Sequence, residues 1–435
     1  MSLTVEKLND DTTFLFSFVP SFTPKSTKRK LPGAFTILLD PWLSGETSIV
    51  HPVFQLASHT SECAIKSLAE LQDHPDVIII SQEKPDHCHR ETLCSLPKTT
   101  RTRILATPAA AKTIRSWKHF HPETLHVMAP YYPDKPGVVT RIRLEPYTSS
   151  SSAGEITIAN IVTKYDLTKL HNAIGITYRP PGSLLSAVGG ETVNLIELSR
   201  PATSPGPLHK ARSAAKLSTN APTPQTRHRA FSAPRPNFLD PLGRSPTPNP
   251  TPSPTNHRIP CNPSLPARRH KEQPLSVLYT PHGLSLPALQ PYLTHHLSRI
   301  GALPLTALFH CLNSEENPLF LGGLVARGAP GGVEIAAGSG ARYWVGAHDE
   351  AKALSGVATR WIRSRGYGLE EVRGMLWERE SVGGVRRREG TVVRVLGVGE
   401  RMRIDGIRLA SVVHDSDALD GDDVSTDLTS TRTKG

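Results

Sequence analysis

Asp76-Val-Ile-Ile-Ile-Ser-Gln-Glu-Lys-Pro-Asp-His-Cys-His89 is the stretch on which the reading of the whole chain turns. Four consecutive β-branched residues, Val77 to Ile80, make a short apolar run of the kind found in a strand buried on both faces. The run ends at Ser81-Gln82, and Lys84-Pro85 forces a loop, because proline lacks a donor and restricts the residue before it. Asp86, His87 and His89 follow at once. A buried strand that delivers a carboxylate and two imidazoles into the loop at its C-terminal end is how α/β folds present reactive groups. Cys88, between the two histidines, is a softer candidate whose side chain points the opposite way from its neighbours.

The chain has 435 residues, enough for one large domain or two ordinary ones. Only 37% of it is hydrophobic and it contains 39 prolines, so part of it lies outside any core. No apolar run is long enough for a membrane span, and the first residues lack the basic and apolar regions of a secretory signal. Five scattered cysteines without CxxC spacing read as reduced thiols of an intracellular protein, in the cytoplasm or, given its basic segment, the nucleus.

The net charge of +11 is concentrated. Between residues 201 and 273 there are eleven lysines and arginines against Asp240 and Glu272, and 16 of the 39 prolines. So little aliphatic content cannot offset the entropy of ordering, which predicts a disordered basic insertion over 200–273. Its Ser-Pro and Thr-Pro pairs beside arginines suit a kinase or a protein partner. With the positive charge confined to this segment, nucleic acid is not the expected ligand. The remaining boundaries are a first half over 1–199, a second half over 274–414 and a disordered tail over 415–435.

Strands are predicted over 12–18, 35–39, 77–80 and 103–107, then over 126–129, 140–145, 155–163, 173–178 and 193–198. Past the insertion the pattern alternates: a strand over 276–280, a helix over 285–300, a strand over 306–311, a short helix over 333–337, a strand over 342–346 and a helix over 350–363. Two more helices are expected over 61–73 and from Pro108 to Trp117, proline suiting a first turn.

The loop after the first buried strand resembles the metallo-β-lactamase superfamily. Its signature there is His-x-His-x-Asp-His, and this chain has Gln82-x-Lys84-x-Asp86-His87. Leu39-Asp40-Pro41-Trp42-Leu43 resembles an element of the branch related to L-ascorbate 6-phosphate lactonase. His171-Asn172 is similar to the third motif, Tyr279-Thr-Pro-His282-Gly283 stands where the family places a bridging aspartate, and Val345-Gly-Ala-His348-Asp349 resembles the closing motif. The resemblance implies an α/β fold, a four-layer αββα sandwich interrupted by the insertion.

It also implies two metal positions. The first would fall to Gln82, Lys84 and His171. An ammonium has no lone pair to give and an amide oxygen is a poor zinc ligand, so this position is expected to hold no metal, with Lys84 supplying charge instead. The second keeps Asp86, His87 and His348, and His282 could complete it. The expected cofactor is a single zinc ion, and the expected function a hydrolase acting on a small ester, lactone, amide or phosphoester. Asp86, Lys84 and His282 are the candidate catalytic residues. The alternative is a non-catalytic relic that serves as a binding scaffold. Each histidine also has a plain reading. His87 and His89 could be hydrogen-bonding loop residues, His282 a turn residue, and His348-Asp349 the cap of a helix.

Overall fold

Alternation builds the first sheet. In Phe14–Val19 the three phenylalanines are buried while Leu15, Ser17 and Val19 are half-exposed, the period-two pattern of a strand with one covered face. This strand pairs antiparallel with Ser2–Lys7 on one side and Phe35–Leu39 on the other. Arg401–Asp405 adds the outer edge, and Val77–Ile80, Arg103–Ala106 and Leu125–Val127 extend the sheet in parallel. The second sheet repeats the plan. Val139–Leu144, Gly154–Val162, Asn172–Arg179 and Leu275–Thr280 run antiparallel, then Ala307–His310, Tyr343–Gly346 and Val392–Arg394 continue in parallel.

The structure is a computed structural model that describes residues 1–21, 31–49, 51–135, 138–149, 151–163, 166, 168–183, 195–196, 271–382 and 390–409. Three apolar clusters define its layers. Between the sheets Phe14 and Phe16 meet Phe309 at ring-centroid distances of 5.2 and 4.7 Å, among Val77, Ile79, Ile176, Tyr279 and Val345. On the far face of the first sheet, Ile78, Ile80 and Ile104 pack with Leu93 and Ile114 of the helices Arg90–Cys94 and Pro108–Ser116. On the far face of the second, Leu278, Leu308 and Trp344 pack with Tyr292, Ala336 and Leu376 of Leu286–Tyr292, Gly328–Ser339 and Leu369–Val382. The result is the four-layer αββα sandwich. Val77 and Ile79 face one layer and Ile78 and Ile80 the next, which is why that run is apolar without a gap; each such burial contributes about 1.5–3 kcal/mol.

Several predicted helices are absent or differ in extent. Over 61–73 there is only the 3-10 turn Leu68–Glu70, because Ala64 gives its N–H to the Leu8 carbonyl (2.8 Å) instead of to a helix. Over 350–363 the chain forms the strand Ala353–Ser355 paired with Gln55–Ser58, the 3-10 turn Val357–Trp361, and then Arg363–Arg365 paired with Ser314–Glu316. Gly356, at φ 109°, breaks any helix there. The helix Gly328–Ser339 is longer than the predicted 333–337. Its glycines allow close approach: a Cβ on Gly332 would overlap the Trp344 ring. The expected helix over 285–300 is α-helical over Leu286–Tyr292 and π-helical over Leu293–Leu297.

The expected tail over 415–435 and nearly all of the expected insertion lie outside the described residues. The described fold resumes earlier than expected: Lys271–Glu272 pairs with Arg408–Leu409, and Glu272 accepts from the Met1 amino group (3.0 Å). Among the described residues no helix is long and apolar enough to cross a membrane.

Candidate metal centre

The parallel strands of both sheets end on the residues that gather here. Asp40 follows Phe35–Leu39 and turns into the left-handed region at φ 38°, which brings its carboxylate back under the neighbouring strand end. It accepts from the Ser81 amide (2.7 Å), the Ser81 hydroxyl, the Tyr279 hydroxyl (2.7 Å) and Nδ1 of His87 (2.8 Å). Pro85 makes the turn that presents His87: the amides of His87 and Cys88 both return to the Lys84 carbonyl. The imidazole is fully buried. Burial opposes its charge, but Asp86 and Asp40 outweigh that and raise its pKa above the ordinary value.

From the second sheet, His282 follows Leu275–Thr280 in a turn closed by Gly283 at φ 80°, where a Cβ would meet His310 Nε2 at 2.6 Å. Nδ1 of His282 donates to the Val325 carbonyl (3.1 Å). Burial, with His348 and His87 nearby, holds the pKa of His282 well below the ordinary value. His348 follows Tyr343–Gly346 at φ 66°, its amide bound to the Asp11 carbonyl (3.2 Å) and its Nδ1 to the Asp11 carboxylate (2.8 Å). A non-glycine residue held in this region stores backbone strain, as is common where geometry serves a site.

The three imidazoles converge, one nitrogen of each lying within 4.8 Å of the others. The acceptors behind them decide which nitrogen faces inward. With the Nδ1 protons of His87 and His282 given to Asp40 and Val325, their Nε2 lone pairs meet at 3.0 Å. Two lone pairs at that distance need a cation between them, either a proton or a metal ion. The opposed pKa shifts put the proton on His87 when it is a proton. Histidines whose outer nitrogen is fixed by a carboxylate or carbonyl are what metal sites use, and the donor set fits zinc.

A second cluster shares His348. Asp11, Asp86 and His348 also bring ligand atoms within 4.8 Å of one another. Here a lysine is already present: Lys352 Nζ lies 2.9 Å from Asp11, 3.2 Å from Asp86 and 3.4 Å from His348 Nδ1. Burial works against charge in both acids, yet His348 and Lys352 keep Asp11 well below the usual carboxylate range. Lys352, His87 and His348 lower Asp86 to about 2. Sequence reasoning missed Asp11 and Lys352. Asp11 sits in a polar hairpin loop that any turn could contain, and Lys352 falls within the expected helix over 350–363.

Of the expected residues, His87, His282 and His348 are brought together, and Asp86 stands beside them, paired with Lys352. Lys84 and Asp86 line a cavity of about 690 Å³ that His282 and His348 also face. Gln82 is buried elsewhere, giving its amide protons to Leu170 and Asn172. His171 has both ring nitrogens against backbone carbonyls, Gly283 (2.9 Å) and Leu324 (3.1 Å), and is not among the residues whose ligand atoms converge. His89 caps the helix Arg90–Cys94, and Cys88 is buried in the outer layer, its pKa raised by burial. Asp349 caps no helix; it accepts from the amides of Leu312 and Asn313.

No family model and no curated protein matches this sequence. Solved structures align along most of the chain. They include isothiocyanate hydrolase from Delia radicum gut bacteria (11% identity, 92% of this chain and 98% of that one, TM-score 0.42). The metallo hydrolase Igni18 from the hyperthermophilic archaeon Ignicoccus hospitalis aligns at 10% identity over 93% of this chain and 99% of its own (TM-score 0.38). The metallo-beta-lactamase fold protein YhfI from Bacillus subtilis does so at 10% identity over 93% and 100% (TM-score 0.37).

Proposed function

We propose that the chain is a metallo-β-lactamase-fold hydrolase working with one metal ion, zinc by the chemistry of its donors, held by His87, His282 and His348. The meeting of two Nε2 lone pairs at 3.0 Å, with their Nδ1 protons committed elsewhere, carries the reading. Three imidazoles would hold the ion without enclosing it, a donor number typical of catalytic rather than structural zinc. An ion held by His87, His282 and His348 would supply Lewis acidity for hydrolysis.

The chain's own groups account for the rest. Asp86, held at about 2 by Lys352, stays ionised at neutral pH and takes no proton there. It therefore accepts a hydrogen bond and orients whatever lies beside the imidazoles. Lys84 lines the same cavity, and its ammonium has no ion-pair partner among the described residues. It is the group best placed to meet negative charge as it develops on a substrate. Phe54, Leu354 and Ile362 line the cavity as well, which favours a small ester, lactone, amide or phosphoester with an apolar portion. The Asp40-Pro41-Trp42 element supports the branch related to L-ascorbate 6-phosphate lactonase.

Protein purified without chelators is expected to carry about one equivalent of metal by elemental analysis. Alanine at His87, His282 or His348 should remove it, and alanine at His171 should not. Wild-type protein that takes up no metal even after incubation with zinc would overturn the hydrolase and leave a binding scaffold.

A further inference from the structure

We infer that Lys352 is a built-in cation, its ammonium holding the place between Asp11, Asp86 and His348 that a second metal ion would otherwise take. The inference rests on the one-metal reading above and explains why the number is one.

The acids are those of a metal site: two carboxylates whose oxygens lie within 4.8 Å of each other and of a His348 nitrogen, with the imidazole itself turned to Asp11 through Nδ1. Their surroundings demand positive charge. The Asp11 side chain is fully buried and Asp86 is 18% exposed, and buried carboxylates are tolerated only when paired or bound to metal. Among the described residues Lys352 is the one lysine or arginine that pairs with either acid. It reaches both, at 2.9 and 3.2 Å, and lies over the Trp42 ring at 5.6 Å. Its side chain is only 12% exposed, so no solvent counter-ion could replace it readily.

The backbone delivers it deliberately. The Lys352 amide returns to the Glu350 carbonyl (2.9 Å), and the Glu350 carboxylate is fixed by His59 (2.7 Å) and the Thr60 amide (2.9 Å). The segment after His348 is thereby folded back, so that residue 352 points at the acids flanking His348. An ammonium and a divalent ion cannot share that space. Lys352 also differs from a metal in a way that matters: it neutralises one charge permanently and offers no exchangeable ligand position.

The test is a manganese titration of zinc-treated protein, followed by the electron paramagnetic resonance signal of free Mn²⁺, since two carboxylates suit manganese. Wild type and Lys352→Arg should take up none, whereas Lys352→Met should take up about one equivalent. Adding Asp86→Asn to Lys352→Met should weaken that uptake at least about tenfold. A Lys352→Met chain that folds only when manganese is present supports the inference. One that stays unfolded even in millimolar manganese overturns it, as does equal uptake by wild type and Lys352→Met. If wild type binds no zinc while Lys352→Met binds manganese, the hydrolase reading falls and the role of Lys352 stands.

Discussion

His348 belongs to two clusters that solve the same electrostatic problem in opposite ways. On one side His87 and His282 bring lone pairs to within 3.0 Å of each other and need a cation from outside. On the other, Asp11 and Asp86 receive a cation that is part of the chain, Lys352. A tethered ammonium cannot dissociate, so it contributes to stability under all ordinary conditions. It has no Lewis acidity, so it can polarise nothing by ligation. A bound ion has the reverse properties. The difference assigns stability to Asp11 and Lys352 and chemistry to the imidazole side with Asp86 beside it, His348 standing between them.

The largest effect that would sharpen this contrast comes from Asp11→Asn. It removes one partner from a buried ion pair and the acceptor behind His348 at once. Breaking a buried pair costs about 3–5 kcal/mol where the remaining charge is left uncompensated; Lys352 keeps Asp86, so the low end of that range is expected. Urea unfolding of metal-free protein should show a loss of that size. A loss below about 1 kcal/mol would mean that the acidic side is not what holds the site together. Asp40→Ala acts on the imidazole side. His87 would lose the acceptor that fixes its tautomer, and Ser81 and Tyr279 would lose theirs. Zinc affinity, read by chelator competition, should fall about 10–100-fold. Unchanged affinity would show that His87 is oriented by packing alone.

Much of the fold was legible because its code is local. Val77 to Ile80 announced a strand covered on both faces, and Phe14, Phe16 and Phe18 a strand covered on one. The strand ends then set His87, His282 and His348 in loops that meet. What was illegible depends on distant partners. The segment after His348 has alanines and leucines that read as a helix, yet pairing with Gln55–Ser58 and the Gly356 turn override that propensity. Lys352 disappeared from view with that error. Asp11 gave no signal at all, since its role exists only once the hairpin loop lies against a residue 337 positions away. His171 shows the converse: its position agreed with a motif, but its ring is spent on two backbone carbonyls.

The smallest predicted effect concerns what steadies the acidic side from behind. His59 faces Glu350 through Nδ1 (2.7 Å) and the Trp42 carbonyl through Nε2 (3.1 Å), so both nitrogens donate and the ring is charged. Burial opposes that charge, but contacts with Cys63 and Glu350 outweigh it and raise the pKa from 6.5 to about 10. A group whose folded pKa is raised contributes stability that is complete below its unfolded value and is lost as pH climbs through the folded one. The window therefore runs from about 6.5 to about 10. Asp349, raised to about 6 by burial, has finished titrating below most of that window and does not confuse it. Between pH about 7 and 10 the wild type should lose stability on the order of 1 kcal/mol, the nominal shift being discounted for solvent screening. His59→Gln should start lower and fall less steeply across the same range, the remaining slope coming from His87, whose pKa is also raised by Asp86 and Asp40. If the two curves run parallel instead, the ion pair behind Glu350 contributes nothing, and the segment that aims Lys352 is held by the Gln55–Ser58 strand alone.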